Sequence, residues 1–137
     1  MEISDISIML AGLFNLAFAI FHIFFGRIFR WEKDLQSLAK INRAIMQVMN
    51  WALMVIFFFF AYLLFFHMEA MTNSALGQAV LAGIAIFWTL RAAMHFPLFG
   101  AKGLGTKAFV LLCIVGASFH AFPLSLILGD ASRFLLR

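Results

Sequence analysis

Acidic residues and cysteine are scarce in this sequence, which has six Asp and Glu residues and one Cys among 137 positions. The lone thiol, Cys113, lies inside an apolar run, so the chain forms no internal disulfide and has no CxxC motif for metal binding or redox exchange. None of the carboxylates lies inside a long apolar segment. Because triad and paired-carboxylate mechanisms need an acid within the site, the sequence favours a protein that is not an enzyme.

Charge of either sign is also rare, at 12% of residues, whereas 65% of residues are hydrophobic. That balance lies outside the range of soluble domains and indicates a polytopic integral membrane protein. The formal net charge is +4, but the cations lie at the ends of apolar segments and not in a basic run or patch. A nucleic-acid partner is therefore not expected.

Four apolar segments are each about 20 residues long, which is enough to cross a hydrocarbon core of about 30 Å. They cover approximately residues 6–29, 44–66, 78–98 and 108–128. Short connections make neighbouring spans antiparallel, so the sequence predicts an all-α fold, a single domain over residues 1–137 with four transmembrane helices in an up-and-down antiparallel bundle. The first span follows Glu2 and Asp5 instead of basic residues, so it is expected to stay uncleaved.

The distribution of Lys and Arg predicts the direction of the spans. Two cations, Arg133 and Arg137, follow the fourth span, and the other eight lie near the first and third connections, at Arg27, Arg30, Lys33, Lys40, Arg43, Arg91, Lys102 and Lys107. The positive-inside bias places those connections in the cytoplasm. Both termini are then predicted on the non-cytoplasmic side of a cell membrane, such as a bacterial inner membrane.

The two basic connections have different predicted structures. In the first, Trp31, Leu35 and Leu38 recur at i, i+4 and i+7, which predicts a short amphipathic helix docked on the lipid surface, with a partner-binding segment as the alternative. The glycine-rich third connection, residues 100–107, lacks the GxxxxGK[ST] spacing and a preceding strand, so we expect a flexible connection and not a phosphate loop.

Helical spacing sorts the small and polar residues of each span into one stripe, the kind of face that helices turn toward one another in lipid. In chain order, the four stripes are Ala11, Asn15, Ala19, His22 and Gly26; Arg43, Gln47, Asn50 and Met54; Ile84, Trp88, Arg91 and His95; and Cys113, Gly116 and His120. Asn15 and His120 fall at one depth on helices expected to be adjacent, which predicts a structural hydrogen-bonded pair.

The sequence also predicts the surroundings of Trp88 and the helix geometry at Pro123. Trp88 lies near the centre of the third span and is expected to face protein, because its indole N–H needs a partner. In the fourth span, Pro123 lacks a backbone N–H and crowds the carbonyl of Phe119. We therefore expect a kinked or opened turn beside His120, with that carbonyl available to a neighbouring polar group.

Arg91 is the strongest functional signal, because a guanidinium keeps its charge and is costly inside a span unless it pairs, reaches the headgroups or lines a wet cavity. No span contains a carboxylate, so the counter-charge must come from a connection, a lipid phosphate or a bound anion. The sequence predicts a polar pocket in the cytoplasmic half of the bundle for an anionic small molecule or lipid headgroup. Its predicted ligand-binding residues are Arg91, His95, His22, Asn50, Gln47 and Trp88.

Two alternatives remain open. His22 and His95 fall at comparable depth on different helices, as the axial ligands of a b-type haem do, so the protein is alternatively a haem- or quinone-associated redox subunit. Phenylalanines crowd both histidines, and no acidic or second Cys ligand accompanies them, so no metal-ion site is predicted. The other alternative is an accessory subunit whose polar residues pair with a partner membrane subunit or a second copy of the chain.

Overall fold

The computed structural model describes residues 3–100 and 102–135, with side chains up to residue 129. The long helices are α1 (Ile3–Ile28), α3 (Lys40–Phe66), α5 (Ala75–Phe99) and α6 (Leu104–Leu135). Between them lie α2 (Trp31–Asp34) with a 3-10 turn (Leu35–Ser37), and α4 (Met68–Asn73). Within these ranges the chain contains no strand, which confirms the all-α prediction.

Four helices are long and apolar enough to cross a membrane, namely α1, α3, α5 and the part of α6 up to Gly129. This confirms the predicted number of spans and supports a membrane protein. Each helix begins three or four residues before the predicted apolar segment, because a first turn is often polar and does not register as hydrophobic. At α5 the cap is Ser74, whose Oγ accepts the Gly77 N–H at 2.9 Å and donates to the Ala70 carbonyl at 2.7 Å.

The chain forms two compact units, residues 12–63 and the remainder, residues 1–11 with 64–137. In the latter unit α5 packs along α6, and the short helix α4 contacts both. The chain reverses between α5 and α6 at Gly100 and Gly103, whose φ angles of 78° and 114° suit glycine. This antiparallel pair is called the α5–α6 hairpin below.

The connection from α3 to α5 is ordered and contains the short helix α4. The backbone of α4 passes directly over Gly77, where an added Cβ would overlap the Ala70 carbonyl and lie 2.5 Å from Met71 Cα. Gln78 Nε2 donates to the Thr72 carbonyl at 2.7 Å, and Met71 is buried. The start of α5 is therefore tied to α4 by backbone packing as well as by the Ser74 cap.

In the other unit, the first connection turns back on α1. Arg30 has a left-handed backbone (φ 49°), and α2 begins at the next residue. The Trp31 ring then packs edge-to-face on Phe25, with centroids 5.3 Å apart. The predicted short helix is present only in part, because α2 ends at Asp34 and a 3-10 turn follows it. Leu35 is buried at 4% exposure, so the predicted docking of that side chain on lipid is wrong.

Burial agrees with the predicted inward stripes on three of the long helices. Buried stripe residues are Ala11, Asn15, Ala19 and His22 on α1, Ile84 and Trp88 on α5, and Cys113, Gly116 and His120 on α6. On α3 the buried face is instead Phe57, Ala61 and Leu64, and Gln47 is exposed, against the prediction. The cause is position along the helix, because residues 40–49 are exposed apart from the half-buried Arg43.

Helix α6 continues through Pro123, and the carbonyl that the proline leaves without its helical donor has a partner. Ser7 Oγ of α1 donates to the Phe119 carbonyl at 2.9 Å. The expectation that this carbonyl would serve a neighbouring polar group is thereby confirmed. The bond joins the beginning of α1 to the middle of α6 within one unit.

We expect Ser7→Ala to lower the free energy of unfolding by about 1 kcal/mol, because it leaves the Phe119 carbonyl unsatisfied. In a Pro123→Ala background the same change should cost clearly less, since residue 123 then supplies the missing N–H. A double-mutant cycle measured by unfolding in mixed micelles tests this coupling. Ser118→Ala is the control, because its hydroxyl bonds within its own exposed helix turn; equal costs in both backgrounds would refute the coupling.

Candidate functional site

Arg91 and His95 lie one turn apart on α5, and both contact Phe109 of α6. The Arg91 Cζ atom lies 5.4 Å from the centroid of the Phe109 ring, a cation–π distance. The His95 ring stacks on Phe109 and on Phe99, with centroids 4.7 Å apart in each case. These four residues, Arg91, His95, Phe99 and Phe109, are called the Arg91 cluster.

The polar atoms of the Arg91 cluster have no acceptor within the described protein. Both Arg91 and His95 are half-buried, and Arg91 Nε is buried without a hydrogen-bond partner. Neither side chain forms a hydrogen bond or an ion pair with any residue in the ranges 3–100 and 102–129. A buried donor without an acceptor is costly, and more so when it is charged. Within the described residues, the buried Arg91 N–H is thus left without an acceptor.

From residue 75 to residue 129, the α5–α6 hairpin carries charge of one sign only. Residues 75–129 contain no Asp or Glu, and their cations are Arg91, Lys102 and Lys107. The two lysines are exposed near the point where the chain reverses. Cys113 is a free, buried thiol close to Arg91. This end of the hairpin is accordingly positive, with no carboxylate of its own to neutralise Arg91.

In the other unit, the structure brings Asn50 to His22. The Asn50 amide nitrogen Nδ2 donates to the His22 backbone carbonyl at 3.0 Å. The His22 Nδ1 atom lies 2.9 Å from the Phe18 carbonyl; because a carbonyl only accepts, Nδ1 carries the proton. The buried imidazole packs on Phe25 and Phe57, each with its centroid 5.2 Å away.

Several predicted side-chain contacts would join residues of the two units, and these stay predictions. These are the approach of Arg91 and His95 to His22 and Asn50, and the pair of Asn15 with His120. Asn15 and His120 are both buried, and His120 Nδ1 donates to the Gly116 carbonyl at 2.6 Å within α6. Trp88 is fully buried, as its central position in the span predicted.

Haem ligation by His22 and His95 likewise stays a prediction. Phe rings pack on the flat faces of both imidazoles, which is the crowding that the sequence indicated. Among the described residues, no group of three or more His, Cys, Asp or Glu side chains is arranged to hold a metal ion. Among the described residues, the Arg91 cluster is therefore a stronger candidate site than the two histidines.

Sequence reasoning missed Phe109, although the signal was present. His95 and Phe109 are each seven residues from Lys102, and Arg91 and Cys113 are each eleven residues from it. In an antiparallel helical hairpin, residues equidistant from the turn lie at the same level. The hairpin register therefore identifies Phe109 as the neighbour of His95.

A cavity of about 500 Å³ lies near the other end of α5 and includes none of the predicted site residues. Its lining comes from the start of α1 (Ser4 and Asp5), from α4 (including Glu69) and from α6 (including Leu126). Arg91 lies sixteen positions after Ala75, at the start of α5, which is about 24 Å along the helix. The two carboxylates of the cavity make it unsuited to an anion.

No family model, no curated protein and no solved structure matches this chain. The function is therefore inferred from the physical chemistry of its own residues. Among these, the Arg91 cluster combines a half-buried permanent charge, a buried N–H without a partner and an aromatic support.

Proposed function

We propose that the protein is a non-enzymatic integral membrane protein that binds an anionic group through Arg91 and His95 of the α5–α6 hairpin. The main observation that supports this proposal is the buried Arg91 Nε, which has no acceptor among the described residues. A half-buried guanidinium is costly in a span, and a bound anion offsets that cost by charge-assisted hydrogen bonds. The ligand class is an anionic small molecule or a lipid headgroup.

The aromatic residues suit this role. A cation–π contact is an electrostatic attraction to the face of the aromatic ring and uses no oxygen or nitrogen acceptor, so it leaves the five guanidinium N–H groups to other partners. Phe109 therefore supports Arg91 without competing for the hydrogen bonds that a phosphate or carboxylate would accept. The stacked Phe99 and Phe109 rings likewise leave the His95 nitrogens, at the ring edge, available as a second donor.

Anions should stabilise the wild-type protein, and Arg91→Gln should abolish that effect. In an uncharged detergent, saturating glycerol phosphate or phosphatidylglycerol is expected to raise the melting temperature by about 5 °C, because a ligand that binds only the folded state stabilises it by mass action. Unfolding followed by tryptophan fluorescence, from three Trp residues, measures the shift.

Arg27→Gln is the matched control, since it removes the same charge from an exposed position at the end of α1. It should keep the anion-dependent shift. Loss of the shift in both variants, or its persistence in Arg91→Gln, contradicts the proposed function and favours the accessory-subunit alternative.

We also propose that the α5–α6 connection and the first connection are cytoplasmic, with both ends of this chain on the opposite side. The support is the distribution of eight cations against two. In intact cells, a membrane-impermeant maleimide should label Asn73→Cys and not Ser37→Cys, each placed in a Cys113→Ser background. Both positions are exposed, whereas Ser74 caps α5 and must be kept. Permeabilised cells should label both, and the reverse pattern in intact cells would refute this topology.

A further inference from the structure

We infer that the anion at the Arg91 cluster is the phosphate of an anionic membrane phospholipid, taken from the leaflet beside the α5–α6 connection. This inference rests on the proposed function and narrows its ligand class. The observations that carry it are the depth of Arg91, the apolar stripe beside it and the charge of the hairpin.

The depth of Arg91 suits a phosphate that is already in the membrane. Arg91 lies eight residues before the end of α5 at Phe99, which is about 12 Å at 1.5 Å per residue. The long side chain extends several ångströms toward the headgroup layer. A water-soluble anion would have to leave bulk water to reach this level, whereas a lipid phosphate is held at the boundary by its own acyl chains.

An apolar stripe runs along α5 next to the two donors. Leu90, Met94 and Leu98 are exposed and recur every four residues, so they form a continuous surface on the helix. Each of the first two directly precedes a cluster donor in sequence, Arg91 and His95 respectively, and so lies about 100° away around the helix. An acyl chain that runs toward the bilayer centre over Met94 and Leu90 would keep its phosphate on the headgroup side of both donors, where the long Arg91 side chain can reach it.

The charge of the hairpin selects against zwitterionic lipids. Phosphatidylcholine also has a phosphate, but its ammonium group would find no carboxylate among residues 75–129 and would lie near Lys102 and Lys107. An anionic headgroup without an amine, as in phosphatidylglycerol, avoids that repulsion. The preference thus comes from like-charge repulsion as well as from attraction to Arg91.

The test is competitive loading of the purified full chain with equimolar phosphatidylglycerol and phosphatidylcholine that carry identical acyl chains, with bound lipid counted by native mass spectrometry. We expect the wild-type protein to prefer phosphatidylglycerol by about tenfold, near the contribution of one charge-assisted interaction. Arg91→Gln should remove most of the preference and leave only the part that repulsion by Lys102 and Lys107 contributes. Arg91→Lys should give an intermediate ratio, and Arg27→Gln should keep the wild-type ratio.

A second arm separates the lipid from a free anion. Millimolar inorganic phosphate should not displace the bound lipid; displacement would overturn the lipid assignment and leave the anion site standing. Equal binding of phosphatidylglycerol and phosphatidylcholine by the wild-type protein, together with no stabilisation by glycerol phosphate or phosphatidylglycerol, would overturn both the lipid assignment and the proposed function. Equal losses in Arg91→Gln and Arg27→Gln would show non-specific charge attraction and overturn the assignment.

Photo-crosslinking of the wild-type protein keeps the test independent of how well the variants fold. Phosphatidylglycerol with a photoreactive headgroup should attach within residues 91–109. Attachment confined to other segments would overturn the inference.

Discussion

Gly77→Ala is expected to lower the free energy of unfolding by roughly 3 kcal/mol, the upper part of the range for overpacking. The reason is that the new Cβ would overlap the Ala70 carbonyl and come within 2.5 Å of Met71 Cα, both backbone atoms of α4. A side chain can rotate away from such an overlap, but here α4 or the first turn of α5 must move. That movement would also break the Ser74 cap and the bond from Gln78 to Thr72. Unfolding in mixed micelles measures the loss.

Gly83→Ala provides the control on the same helix. A Cβ at Gly83 meets no atom within 4 Å. Because alanine favours a helix over glycine, this change should be neutral or slightly stabilising. Similar losses at both positions would mean that the close approach of α4 to Gly77 does not contribute to stability.

Trp88→Ala is also expected to lower the free energy of unfolding strongly, by about 3 kcal/mol. Trp88 is fully buried, so truncation leaves a cavity within the protein. In a membrane the hydrophobic term is weak, and the loss comes mainly from van der Waals contacts, which stabilise helix packing in lipid. The change should also remove the tryptophan fluorescence component least accessible to a lipid-soluble quencher.

Trp51→Ala removes the same side chain from an exposed position on α3, where 61% of its surface is accessible. It is expected to change the free energy of unfolding by less than about 0.5 kcal/mol, as surface substitutions usually do. An equal loss in the two variants would contradict the assignment of Trp88 to the packed interior.

The sequence predicted the helices well, because apolar length is decided locally. Inward faces could also be read on α1, α5 and α6, since the small and polar residues recur at helical spacing. The prediction failed at Gln47 because periodicity identifies a face of a helix but not how far along the helix neighbours cover that face. The helix α4 was missed because residues 67–77 have neither an apolar run nor a helical pattern long enough to recognise.

The candidate site was only half visible in the sequence. Arg91 and His95 share a helix face, and the lack of intramembrane carboxylates can be counted directly. Phe109 was overlooked because a phenylalanine looks the same in sequence whether it faces lipid or supports a guanidinium. The donor to the Phe119 carbonyl was equally hidden, because Ser7 is 112 residues away.

That distance has a consequence for biogenesis. The ribosome makes Ser7 112 residues before Phe119, so the first span is in the bilayer long before its hydrogen-bond acceptor is synthesised. The contact can therefore close only when the fourth span leaves the translocon. Until then the nascent protein must hold the first span in place by other means. A nascent chain truncated before Phe119 would lack the acceptor, and crosslinking from residue 7 to residue 119 would report completion of assembly.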